Sequence, residues 1–188
     1  RQPLDLPLAM TLSKDRPMIA VPTILLALAA AAPAAETPKT NVHGDWVVQC
    51  TKQAEVPPCE IAQAATSKDT GEQIMRIAFA YRGSGERYAV QIRLPLGVRL
   101  SQPPLLRLDG NTDLEGYGYT RCDAGGCYIE RLLGTPGITR LRAAKTGVLA
   151  VLGSDGKPMV LPLSFNGFAE ALDASALQNT AWAKAANR

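Results

Sequence analysis

The stretch Glu115–Leu133, EGYGYTRCDAGGCYIERLL, decides the fold class. Tyr117, Tyr119, Tyr128 and Ile129 favour extended chain, and Asp123-Ala124-Gly125-Gly126 is turn chemistry set between two cysteines. Together they predict a β-hairpin whose arms carry Cys122 and Cys127 beside the turn. Residues opposed across antiparallel strands lie roughly 4.5–5.5 Å apart at Cα, within the range a disulfide spans. A hairpin clamped in this way suits a β-rich protein of an oxidising compartment.

The segments around it fit the same class. In GDWVVQC, residues 44–50, Trp46, Val48 and Cys50 share one face of a first strand. A loop ending at Pro57-Pro58 leads to a second strand, Cys59–Thr66. Four cysteines permit three pairings. The local set is Cys50–Cys59 with Cys122–Cys127, each closing a hairpin-sized ring that stabilises by about 2–3 kcal/mol if unstrained. Beyond a turn at Ser67–Gln73, the strand Ile74–Tyr81 puts Met75, Ile77, Phe79 and Tyr81 on one side. Gly83-Ser84-Gly85 reverses the chain into Tyr88–Leu94, where Val90, Ile92 and Leu94 face in while Gln91 and Arg93 face out. Such alternation marks antiparallel sheet with one wet face.

Leu105–Leu108 is a further strand before the turn Asp109-Gly110-Asn111. After the clamped hairpin, Thr135 as cap and Pro136 in the first turn predict a short helix to Lys145. Val148–Leu152 and Met159–Phe165 form a hairpin about Ser154-Asp155-Gly156-Lys157, with Pro162 marking an edge strand. A second helix covers Gly167–Leu177. The expected architecture is mainly β: a single antiparallel β-sandwich or flattened barrel of roughly seven to nine strands, with two short peripheral helices. Its expected core is Trp46, Val48, Ile77, Phe79, Val90, Ile92, Leu106, Val148, Leu161 and Phe168.

Upstream, Lys14-Asp15-Arg16, an apolar run Met18–Ala32 and the small residues Ala32-Pro33-Ala34-Ala35 make the three-part pattern of a secretory signal peptide. The run is shorter than the roughly 18–20 apolar residues that span a bilayer, so no transmembrane segment is expected once the signal is cleaved after Ala34. The organisation expected is therefore an upstream misread start at residues 1–9, a signal peptide at 10–34 and a flexible leader at 35–43. A single β-rich domain at 44–177 and a flexible tail at 178–188 complete it. The formal charge is +3. Residues 1–35 contribute three basic and two acidic groups to it, and the remaining charge of about +2 is too weak a field for nucleic-acid binding.

The side chains point away from catalysis. The one histidine, His43, has no second imidazole with which to complete a metal site, and reads as a solvated residue. Paired cysteines leave no thiol as nucleophile, and neither C-x8-C nor C-x4-C is the spacing of a thiol–disulfide oxidoreductase. Asp109 with Asp113 is the carboxylate pair available for acid–base work, in a turn-rich segment where Asp is common anyway. Arg76, Arg82, Arg93, Arg99 and Arg107 recur at outward positions; they could make a modest basic face for lipid headgroups or an acidic partner, and read rather as solvated faces interleaved with Asp and Glu. No catalytic residue, cofactor or metal ligand is assigned. Tyr119 and Tyr128 are the candidate contact surface.

Four segments in order, GDWVVQC, LPLGVRL with RLDG, RCDAGGC and PLSFNGFAEAL, resemble the invasion-associated locus B family of exported bacterial proteins. The match runs from about Gly44 to Leu172, and Cys122 and Cys127 fit the family's C-x3-G-C pattern. One departure is Phe165, where the family commonly has Leu two residues before the glycine. The resemblance implies a small β-rich domain, periplasmic or associated with the outer envelope of a Gram-negative bacterium, in a family some members of which are linked to host-cell entry. The function expected is non-enzymatic binding to an envelope or host-surface protein; the alternative is a secreted hydrolase working with carboxylates alone.

Overall fold

The structure is a computed structural model and describes residues 39–51, 56–83 and 87–186. The expected upstream start and signal peptide lie outside these residues. Among the described residues there are eleven strands: β1 Lys39–His43, β2 Trp46–Cys50, β3 Cys59–Thr66, β4 Gln73–Tyr81, β5 Tyr88–Leu94, β6 Leu105–Leu108, β7 Thr112–Leu114, β8 Arg121–Asp123, β9 Gly126–Leu133, β10 Thr146–Leu152 and β11 Pro158–Ser164. Helix α1 is Thr135–Ala143 and α2 is Phe168–Ala186. The strands form a seven-stranded sheet, β1-β2-β3-β4-β5-β9-β8, and a four-stranded sheet, β11-β10-β6-β7. All pairings are antiparallel. The expected mainly β class holds, as two sheets with no closed barrel.

One core joins the layers. Trp46, Ile61, Phe79 and Ile92 from the large sheet, Leu106, Leu149 and Leu161 from the small one, and Phe168 and Leu172 of α2 belong to a single buried cluster. Its centre is aromatic. Trp46 meets Phe79 edge-on at 5.7 Å and Phe168 at 5.0 Å, and Phe168 meets Phe165 at 5.4 Å. Such edge contacts add to the area these rings bury.

A second set of contacts beside Trp46 ties β2 and β3 to the end of β11. The Asp45 amide donates to the Asn166 carbonyl at 3.1 Å, and the Trp46 indole N–H donates to the Ser164 carbonyl at 2.9 Å. Gln63 on β3 accepts from the Ser164 amide at 3.0 Å and donates to its carbonyl at 3.1 Å. The Ser164 hydroxyl donates to Asp45 at 2.6 Å. Two glycines let the backbones approach. Gly44 has φ +53° and Gly167 has φ +79°; a Cβ at 167 would lie 2.1 Å from the His43 carbonyl oxygen.

Several expectations are corrected. Lys39–His43, read as leader, is edge strand β1, with Val42 opposite Val47. Gln178–Ala186, read as tail, continues α2, where Asn179 is fully buried. Its amide oxygen accepts from the Cys59 amide at 2.9 Å, and its amide nitrogen donates to the carbonyls of Cys59 and Tyr81 at 2.8 and 2.9 Å. An amide that reproduces strand hydrogen bonding anchors the helix end against β3 and β4. Thr135 is not the cap of α1; extended Gly134 is, and Thr135 and Pro136 open the first turn. The strand count exceeds the upper expectation through short pieces such as β1 and β7.

Of the ten expected core residues, Val148 is the exception: it is 36% exposed, while its neighbours Leu149 and Val151 are buried. Both faces of β10 are apolar, so hydrophobicity does not choose its register. Pro162 does lie on an edge strand, β11.

The junction predicts a contrast between two glycines with similar φ. Gly71, at φ +72° with open space around it, should lose about 1–2 kcal/mol on Gly71→Ala from the left-handed backbone alone. Gly167→Ala adds a backbone clash and should lose a further 1–3 kcal/mol or so in urea unfolding. Equal losses would contradict the close approach.

Candidate functional site

The clamped hairpin carries Cys122 and Cys127, and Tyr128 beside them, with Tyr119 just before its first arm. Cys122 and Cys127 are directly opposed on β8 and β9, with Cα atoms 4.0 Å and sulfurs 2.12 Å apart. Cys50 and Cys59 are likewise opposed on β2 and β3, with sulfurs 2.12 Å apart. Gly126 explains the glycine before the second cysteine: its φ is +136°, and a Cβ there would lie 2.2 Å from the Leu94 carbonyl oxygen on β5. The turn is set by Asp123, whose carboxylate accepts from the Gly125 amide at 2.8 Å. That bond is the main reason its pKa lies below the usual carboxylate range.

Neither tyrosine of the candidate contact surface is a freely exposed ring. Tyr128 is half-buried, with the Arg121 guanidinium 3.7 Å above its ring. Tyr119 is half-buried against the core, and its hydroxyl is buried without a hydrogen-bond partner. Burial raises the Tyr119 phenol's pKa. The exposed groups of the tip are instead Arg121–Gly125.

Tyr128 belongs to a larger feature, the outward face of the seven-stranded sheet. Strand registers put Arg76 opposite Arg93, Arg93 opposite Tyr128, and Tyr128 opposite Arg121, so three guanidiniums and a phenol form one row across β4, β5, β9 and β8. Arg76 bonds Glu60 and, at 3.3 Å, Gln49. Arg121 bonds Asp123 and reaches Glu130 at 3.3 Å. Arg93 bonds neutral Gln73, and has no carboxylate partner among the described residues. The next row carries Gln91, which donates to Glu130 at 2.8 Å and is the first cause of that carboxylate's lowered pKa. Ala78 lies opposite Gln91 in that row, and Ala80, Ala89 and Leu132 make the row beyond; with Pro57-Pro58 they line an open hollow of about 760 Å³.

The carboxylates considered for acid–base chemistry do not converge. Asp109, at φ +46°, turns its carboxylate onto the amides of Lys145 and Thr146 at 3.0 and 2.9 Å. These backbone bonds hold its pKa below the usual value. Asp113 is paired with Arg107 through contacts of 2.5 and 2.9 Å. His43 lies on β1 opposite Trp46. No group of three or more His, Cys, Asp or Glu side chains able to hold a metal occurs among the described residues. A basic face of outward arginines was considered from the sequence and set aside; that Arg76 and Arg93 stand side by side in one row exists only in cross-strand register.

Two measurements check this geometry. Replacing both Cys122 and Cys127 by Ser should leave the domain folded and less stable by at most about 2–3 kcal/mol, since the ring is small. A loss of folding would contradict a purely local clamp. Asp109 has a depressed folded pKa, so its contribution is present above the unfolded value near 3.9 and is lost as pH falls through the folded pKa. Asp109→Asn should therefore be less stable than the parent at neutral pH, and the gap should close in acid. A gap independent of pH would remove the charge from the account.

The comparisons with known proteins bear on the whole domain. The family model described as Invasion associated locus B (IalB) protein matches residues 46–176. Invasion protein B homologues from two strains of Brucella abortus are each 24% identical over 150 residues, covering 79% of this chain and 86% of the relative. The crystal structure of invasion associated protein b from Bartonella henselae superposes with a TM-score of 0.65 at 23% identity, over 74% of this chain and 98% of that one. The fold is shared with that protein, and the family model spans Trp46, Gln63 and the Ser164–Gly167 side of the junction, the clamped hairpin and most of both sheets. The chain belongs to the invasion associated locus B family.

Proposed function

We propose that the chain is exported to the periplasm or outer envelope and works there by binding another protein of the envelope or of a host surface, without catalysis of its own. Three things support export: the leader pattern before residue 35, the two cysteine pairs at bonding distance, and membership of a family named for invasion. Binding rather than hydrolysis is favoured because Asp109 and Asp113 are committed to holding the backbone and Arg107. The observation that carries the reading is the Arg76–Arg93 pair on the outward face of the large sheet. Like charges placed directly opposite destabilise a sheet. Glu60 relieves Arg76, while Arg93 keeps its charge available to a partner's carboxylate. The contact surface is then the arginine row with Tyr128 and the adjoining hollow, and Tyr119 serves packing.

Fusion of alkaline phosphatase, active only after export, to the C-terminus tests location; an inactive fusion contradicts export. Proximity crosslinking in the native host should capture a partner with the parent chain and lose it with Arg93→Glu. Capture unchanged by Arg93→Glu would move the binding surface elsewhere.

A further inference from the structure

The four-stranded sheet is apolar on both sides. Leu106, Leu149, Val151 and Leu161 point into the core, as a sandwich requires. The outward positions of the same strands carry Leu105, Val148, Ala150, Leu152 and Val160. Registers set Leu105, Ala150 and Val160 side by side in one cross-strand row, with Val148 between Arg107 and Pro162 in the next. Leu105 is 39% exposed and Val160 60% exposed. An antiparallel sheet with one wet face normally alternates apolar with polar, as the large sheet does with Gln91 and Arg93. A contiguous apolar outer face marks an interaction surface.

We propose that this face is a two-fold interface on which a second copy of the chain packs, sheet against sheet. Charge identifies the occupant. The charged side chains on β6, β7, β10 and β11 are Arg107 and Asp113, and they neutralise one another through contacts of 2.5 and 2.9 Å. The face therefore offers no field by which an unlike charged partner would be selected, and it meets its own copy without opposing like charges. A flat, uncharged, apolar sheet face is complemented by another such face at the usual spacing of about 10 Å between packed sheets.

Edge-to-edge joining through β11 is disfavoured. Proline cannot donate to β10, so residues 158, 160, 162 and 164 are the positions of β11 whose N–H would point away from the sheet. Pro158 and Pro162 have no N–H and that of Ser164 is taken by Gln63, which leaves Val160 as the donor still open along this edge. Association at the β11 side of the small sheet is therefore left to its face. The proposal is independent of the binding role assigned to the large sheet, which points its charged face elsewhere.

Sedimentation equilibrium of the purified chain, from micromolar to sub-millimolar concentration, tests it. The parent chain should approach twice the monomer mass as concentration rises. Val160→Glu and, on a different strand, Leu105→Glu should each weaken the dimer by roughly tenfold or more, with near-ultraviolet circular dichroism unchanged. Leu177→Glu, at an apolar site on α2 that is 74% exposed and off this face, should leave the dimer intact. A parent chain that stays monomeric throughout the range overturns the proposal. So does a dimer that responds to all three substitutions alike, or to none.

Discussion

The structure depends on one close approach, where the backbone at His43-Gly44 meets the backbone at Asn166-Gly167. Neither side tolerates a Cβ: one at Gly44 would lie 2.5 Å from the Asn166 carbonyl oxygen, and one at Gly167 would lie 2.1 Å from that of His43. Around this contact Asp45, Trp46, Gln63 and Ser164 satisfy one another's polar groups across sequence separations of more than one hundred residues between their two ends. Trp46 is buried, Gln63 and Ser164 are half-buried and Asp45 is exposed, and mutual hydrogen bonding across the two backbones specifies how they meet. The junction thus fixes how the two sheets meet, and the Trp46, Phe79, Phe165 and Phe168 rings fill the space directly behind it.

The disulfides act on a different scale. Each joins neighbours already paired in a ladder, at sequence separations of 9 and 5, so each clamps a local turn and neither holds the sheets together. Long-range order comes from the junction at one end of α2 and from Asn179 toward the other, where a single buried amide replaces three strand hydrogen bonds. With the inner faces committed in this way, interaction chemistry is left to the outward faces. One is charged and hollowed, the other neutral and apolar.

Legibility in the sequence followed how far each residue's environment is local. Strands β3 to β5 could be read because one face is wet and alternation sets the register. Val148 was assigned inward because β10 and β11 are apolar on both sides, and periodicity carries no information there. The segment KTNVH has no apolar pattern and becomes a strand by edge pairing with β2. Residues 178–186 looked like a polar tail because the anchor, Asn179, is a polar residue doing a backbone's task. GDWVVQC and PLSFNGF, quoted separately as marks of family resemblance, turn out to be the two halves of one junction. The cysteine pairing was local and could be read; the arginine row needed the lateral order of four strands.

The central claim is that the junction makes the two sheets one cooperative unit, and native-state hydrogen exchange tests it most directly. The amides of Leu149 and Leu161 in the small sheet should open with the same free energy as that of Ile92 in the large one, and the amide of Asp45 at the junction should open with them. Small-sheet amides that exchange through a separate, lower-energy opening while Ile92 stays protected would contradict it.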